Sequence, residues 1–263
     1  MTPCRLIIDP PLEGAWNMAV DEALLEEAAE RGTATLRFYQ WAEPTLSLGY
    51  FQSYDERHGH AASLRSAVVR RSSGGGALVH DRELTYSICL PAAHSLARHS
   101  DRLYRVAHES LIAALAPWRL DLSLYGDQRA AAANRAQGHA ESASPEAFLC
   151  FARRTGADVV VATDRSQAAV KICGSAQRRR RGALLQHGGV LLGQSPAAPE
   201  LPGIEQLCAV AIRPEQLISR WQPWLAAALE LKLAEAPLGD ELIEIAQQLH
   251  RAKYSSHSWT RRR

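Results

Sequence analysis

Three short stretches carry the residues that could do chemistry. In "VKICGSAQ", Lys171 stands among apolar neighbours on a segment that reads as a strand. Strand alternation puts Ala169, Lys171 and Cys173 on one face and Val170 and Ile172 on the other, so Lys171 points to a cleft or to solvent. The small corner Gly174, Ser175 and Ala176 could offer backbone N–H groups to a carbonyl oxygen. In "FLCFARR", Cys150 sits among apolar residues with Arg153 and Arg154 close behind. Such a cysteine is either inert core or, where the positive charge favours its thiolate, a nucleophile. In "RRSSGGGALVH", Gly74, Gly75 and Gly76 either make a tight hairpin turn or let backbone come close to a ligand with its N–H groups free. His80 and His187 could shape a pocket, relay a proton or serve as structural histidines bonded to backbone.

The bulk numbers narrow the field. The chain has 263 residues, 46% hydrophobic, with 30 Lys plus Arg against 28 Asp plus Glu, a net charge of +2. A dedicated nucleic-acid binder usually has a larger basic excess. The run Arg178 to Arg181 is short and lacks interleaved aromatics, which disfavours single-stranded nucleic acid. Five scattered cysteines without a CxxC pair suggest neither a disulfide framework nor a zinc site, and fit a reducing cytoplasm. The first 25 residues lack the form of a signal peptide, and no apolar run approaches the ~20 residues of a membrane span. Neither GxGxxG nor GxxxxGK[ST] occurs.

The elements that must hold these residues follow from periodicity. "CRLIID" reads as an opening strand. Trp16, Val20, Leu24 and Ala28 recur every four residues on one helix face, and Gly32 stands at a helix end. "TLRFYQW" and "TLSLGYF" read as strands joined by a turn, and two more strands flank the triple glycine. Leu103, Ala107, Leu111 and Leu115 form a helical stripe closed by Pro117. An Ala-rich stretch at about 128–147 reads as a flexible insertion. A hairpin turning near Asp164 to Gln167 and the strand "GALLQHGGVLLG" follow. Pro214 opens a helix with a possible kink at Pro223, and "GDELIEIAQQLHRAKY" is the last helix. Strand clusters with helices between them predict an α+β fold, one domain over 1–263, with mixed, largely antiparallel sheets packed with helices.

Taken in order, "NMAVDEALL", "LRFYQWAEPTLSLGYFQ", "RRSSGGGALVHDRELTYSICLP", "KICGSAQRRRRGALLQHGGVLL" and "KYSSHSW" resemble the lipoate–protein ligase and octanoyltransferase superfamily, related to biotin–protein ligases. The Cys-Phe pair ahead of "KICGSAQ" is similar to the cysteine octanoyltransferases of the LipM type. The resemblance implies a biotin/lipoate ligase-like catalytic domain. It implies transfer of octanoyl from acyl carrier protein, through a thioester on Cys150, to a lysine of a lipoyl-domain protein such as glycine cleavage H protein or a dehydrogenase E2 subunit. Lys171 would be the electrostatic partner of Cys150. Arg71, Ser73, Gly74, Gly75, Gly76, Ala77 and His80 would bind substrate on one side. Gly174, Ser175, Ala176, His187 and Gly188 would do so on the other. No metal or cofactor is implied; ATP and Mg enter only under the alternative of a lipoate–protein ligase. Further alternatives are transfer between lipoyl-domain proteins and a non-catalytic acyl- or carrier-binding relative. The four arginines would steer an acidic carrier, or form a solvated turn. Two positions depart from the cysteine class: Gly76 replaces a common arginine, and Cys173 replaces a common serine.

Overall fold

Runs of β-branched and aromatic residues build two sheets. A computed structural model describes residues 1–128, 148–162 and 169–263. The larger sheet contains β1 (Thr2–Ile8), β2 (Ala34–Tyr39), β6 (Glu83–Leu90), β7 (Leu122–Leu124), β8 (Val159–Val161), β9 (Val170–Arg180), β10 (Ala183–Leu191) and β11 (Leu231–Glu235). Their order is β11-β1-β2-β6-β10-β9-β8-β7. The smaller sheet is β4 (Ala67–Arg70), β3 (Thr45–Leu48) and β5 (Leu78–His80), in that order. Strand β1 runs parallel to β2 and β11, and β3 parallel to β4; the other pairs are antiparallel. The expected α+β class holds.

Helices cover both faces of the larger sheet. On one, α2 (Ser100–Leu115) buries Leu103, Ala107, Leu111 and Leu115 with Leu217, Trp221 and Leu225 of the helix Pro214–Ala228. On the other, α1 (Gly14–Arg31) buries Val20, Leu24 and Ala28 with Leu242 and Ala246 of the helix Asp240–Leu249. Gly32 ends α1 in the left-handed region at φ 72°, which glycine adopts without a Cβ penalty. Double coverage explains why every residue of β2, β6 and β10 is buried, polar ones included.

Three expectations change. "TLRFYQW" and "TLSLGYF" are strands but not partners: β2 lies between β1 and β6, while β3 lies between β4 and β5. Pairing with distant strands prevailed over the local hairpin. "LKLAE", not expected as a strand, pairs with β1 because its neighbour on that edge was otherwise missing. The helix expected last ends at Leu249, continues as a π-helical turn over His250–Tyr254, and is followed by a short helix, His257–Thr260. Residues 129–147 of the expected insertion, and the turn expected at 164–167, lie outside the described residues. Among those described, no helix is long and apolar enough to cross a membrane.

Candidate active site

Cys150 opens a single 3-10 turn, Cys150–Ala152, docked on the edge of the smaller sheet. The Cys150 amide donates to the Ala77 carbonyl at 2.7 Å, and the Ala77 amide donates to Phe148 O at 3.0 Å. Gly76 makes this close docking possible. A Cβ there would lie 3.0 Å from Phe148 O and 3.1 Å from Cys150 N. Phe151 is buried beside Leu78 and Leu191, leaving Cys150 half-buried.

Lys171 reaches the same place from β9. Its Nζ lies 2.9 Å from Asp158 Oδ2, 3.4 Å from the Cys150 and Arg153 carbonyls, and 4.0 Å from Cys150 Sγ. The side chain is only 2% exposed, so the reading of a surface lysine is excluded. Asp158 is fully buried and accepts from Tyr104 Oη at 2.7 Å and from the Thr155 amide at 2.6 Å. Burial and the Asp158 carboxylate push the Tyr104 hydroxyl well above its ordinary value, so Tyr104 stays a donor. The ammonium is therefore held as one half of a buried ion pair, with the sulfur at its periphery.

A second cation faces the cavity without such compensation. Arg71 is 2% exposed and donates to the Ser47, Gly74 and Gly76 carbonyls and to Ser47 Oγ, while its buried Nε has no partner. Among the described residues no carboxylate pairs with it. Burial lowers its pKa to about 10, opposed by the charge of Cys150. The cavity thus has a net positive wall.

Two histidines complete the polar shell. His187 Nδ1 lies 2.9 Å from Asp21 Oδ2, and its Nε2 lies 2.6 Å from Ser73 Oγ. Asp21 also holds Arg37, Tyr39 and Ser87. Burial alone would raise the Asp21 pKa, but the His187 hydrogen bond and the Arg37 charge outweigh it and hold the carboxylate ionised. His80 stacks on Trp41 at 3.8 Å, with Glu83 on one nitrogen at 2.6 Å and Ser47 on the other at 2.7 Å. Both histidines are bonded to side chains, not to backbone.

The cavity between these groups is lined by Met18, Tyr39, Arg71, Gly75, Leu78, His80, Thr85, Cys150, Phe151, Gly174, Ser175, Ala176, His187, Gly188 and Gly189, and its walls are mainly apolar. Its volume is about 40 Å³, enough for a water molecule or two. An acyl chain would have to part the walls, and Met18 is the most adaptable side chain there.

Comparison with known proteins places this site in a family. Residues 13–198 match the lipoyl protein ligase A/B catalytic domain. The chain belongs to that family. It is 32% identical to the octanoyltransferase LipM of Kyrpidia tusciae over the whole of both chains. It is 28% identical to octanoyltransferase LipM of Bacillus subtilis, across 95% of this chain and 94% of that one. In fold it is similar to protein Ta0514 of T. acidophilum, a candidate lipoate protein ligase, at a TM-score of 0.74, 21% identity and full coverage of both chains. It is also similar to lipoate-protein ligase A bound with ATP, at a TM-score of 0.69 and 21% identity over 99% of each chain. The expected family, fold and enzyme class agree with these relatives.

Within this lipoyl protein ligase A/B fold, the expected site residues divide. Arg71, Gly75, His80, Gly174, Ser175, Ala176, His187 and Gly188 line the cavity with Cys150. Lys171 touches Cys150 from behind Gly174, and Ser73 stands behind His187. Gly74, Gly76 and Ala77 do not line it; Gly76 and Ala77 position the Cys150 turn instead.

The "GSA" segment is not a corner but continuous strand within β9. The Ser175 amide donates to Tyr104 Oη at 2.7 Å, and Gly174 and Ala176, alternating with it, turn theirs towards β10. The amides of Gly75 and Gly76 have no acceptor among the described residues, so the free backbone donors belong to the glycine loop.

The expected face-sharing of Lys171 and Cys173 also fails. Val159 pairs with Cys173 and its neighbour Val160 with Lys171, so a β-bulge interrupts alternation at Ile172. Lys171 turns to Cys150. Cys173 turns into the core on the α2 side, fully buried and 3.6 Å from His108 Nε2. Burial and nearby Asp158 raise its thiol well above the ordinary value. Residue spacing missed Asp21, Tyr104 and Asp158. Asp21 left a trace as an acid beside the apolar stripe of α1, and Asp158 as an acid directly before "VVV".

Proposed function

We propose that the chain is an octanoyl (or lipoyl) transferase acting through a thioester on Cys150. The observation that carries this reading is the approach of Lys171 Nζ to Cys150 Sγ, 4.0 Å, at the wall of an apolar cavity. The Cys150 thiolate attacks the carbonyl of an octanoyl thioester on acyl carrier protein. The bond to the carrier sulfur breaks, and the carrier thiolate leaves and takes up a proton. The Lys171 ammonium and the net charge of Arg71 stabilise the thiolate and the oxyanion, with the Gly75 and Gly76 amides as further donors. The ε-amine of a lysine on a lipoyl-domain protein then attacks the acyl-enzyme. The amide forms, the amine loses a proton and Cys150 thiolate returns. Thioester exchange is close to isoenergetic and amide formation runs downhill, so the cycle draws no ATP and uses no metal.

Binding the acyl chain supplies the drive to open the cavity. About seven CH₂ and CH₃ groups at roughly 0.8 kcal/mol each give at most about 5 to 6 kcal/mol. Part of that offsets the repacking of Met18 and its neighbours.

The test is mass spectrometry of the whole chain after mixing with octanoyl-acyl carrier protein without ATP. One octanoyl increment is expected on the protein. Cys150→Ala abolishes it; Cys173→Ala retains it, because that thiol is sealed in the core. Release of AMP from octanoate plus ATP, unaffected by Cys150→Ala, would instead establish a ligase and reject the thioester.

A further inference from the structure

The four arginines of the β9–β10 hairpin do not act as one strip. Arg180 pairs with Glu26 and Arg181 with Glu30 of α1. Arg179 turns to the opposite face and donates to the Ala97 carbonyl. Arg178 continues the row Gly174, Ala176, whose members line the cavity, and unlike Arg180 further along the same face it has no acidic partner among the described residues. It comes to rest with Cζ 5.5 Å from the Tyr50 ring.

A second set of cations meets the same ring from the other end of the chain. Arg262 Cζ lies 4.3 Å from the Tyr50 ring and 4.8 Å from that of Trp259, and Arg263 Cζ lies 5.3 Å from Phe51. The segment carrying them is tied down: Arg70 donates to Thr260 O, and Trp259 Nε1 donates to Arg70 O at 2.8 Å. Tyr50 in turn donates its amide to Ser73 O at 2.9 Å, next to the glycine loop of the cavity. Among the described residues, no carboxylate side chain lies within ion-pair distance of Arg178, Arg262 or Arg263. At the centre of the patch Phe51 is 67% exposed.

We propose that Arg178, Arg262 and Arg263, set around Tyr50 and Phe51, form a docking collar for the acidic carrier domain that delivers the acyl thioester. The inference rests on the acyl-transfer reading and adds the surface that recognises the donor protein. Charge complementarity carries it. A chain of net charge +2 collects three guanidiniums unpaired with acidic side chains beside one cavity, and planar guanidinium forks match surface carboxylates. The exposed Phe51 supplies an apolar anchor within a charged rim. Aromatics with arginines also suit single-stranded nucleic acid, which the near-neutral chain disfavours and the experiment distinguishes.

The experiment compares the full chain with its Arg178→Glu/Arg262→Glu double variant. Four quantities are measured: acyl-enzyme formation from octanoyl-acyl carrier protein, the same from a small octanoyl thioester without protein, and equilibrium binding of the acyl-free carrier protein and of oligo-dT. Charge reversal is expected to slow acylation from the carrier about tenfold or more at low salt, with the gap closing near roughly 0.5 M salt, and to weaken carrier binding about as much. Acylation from the small thioester should stay within about twofold. Equal slowing with both donors, unchanged carrier binding, or tighter binding of oligo-dT than of carrier would each overturn the collar. If the wild-type chain takes acyl from neither donor, the acyl-transfer reading fails. Carrier binding alone then decides the surface.

Discussion

Gly174→Ala should slow acylation of Cys150 about 100-fold while leaving the fold in place. An ideal Cβ at residue 174 would lie 2.3 Å from Lys171 Cε and 2.5 Å from Nζ. Ordinary contact begins near 3.4 Å, so the end of the lysine must move by about 1 Å. The gap to Cys150 Sγ is already 4.0 Å, and Asp158 Oδ1 would sit 3.3 Å from the new methyl on the other side. The ammonium is therefore displaced from a slot with no spare room. A shift of about 1 Å at a reacting group can cost on the order of 10² in rate. Alanine fits the extended backbone of β9, and the clash is with the end of a flexible chain. Circular dichroism should be unchanged. The assay is the rate of octanoyl addition to Cys150 by mass spectrometry, with a small thioester as donor to bypass docking. Lys171→Met provides the cross-check: in that background Gly174→Ala should add little further loss. Wild-type speed in Gly174→Ala, or full additivity with Lys171→Met, would refute the role given to the lysine.

Asp158→Asn leaves the buried Lys171 ammonium without its carboxylate; urea unfolding should show a loss of about 3 to 5 kcal/mol, the usual cost of breaking a buried pair by removing one partner. His108 is fully buried between the Ala157 carbonyl and Ser175 Oγ, and burial lowers its pKa to about 4. The unfolded chain binds this proton near pH 6.5 and the folded chain only near pH 4, so stability falls as the pH drops through that window. The loss from this group is on the order of 3 kcal/mol. Melting temperatures at pH 7 and pH 5 check it, and His108→Gln should flatten the difference.

What could be read in the residues were local patterns. The four-residue spacing of Leu103, Ala107, Leu111 and Leu115 defined α2, and Gly32 marked the end of α1, because side-chain periodicity and left-handed backbone are properties of a few neighbouring residues. The motif order gave the family. Cys150, Lys171 and the glycine loop stood out because thiol, amine and small residues are uncommon among apolar neighbours.

Packing between distant segments decided the rest. A bulge opposite Val159 and Val160 separates Lys171 from Cys173, and period-two alternation cannot reveal a residue that breaks it. Asp158, brought beside Lys171 across paired strands, turns a free ammonium into a buried ion pair. Glu26 and Glu30 neutralise two of four adjacent arginines, while Arg262 and Arg263 arrive from the far end of the sequence to take their place. Charge and hydrogen bonding act over a few ångströms in space whatever the separation along the chain. The sequence alone therefore determined which groups are present, and only the tertiary structure decided which of them act on one another.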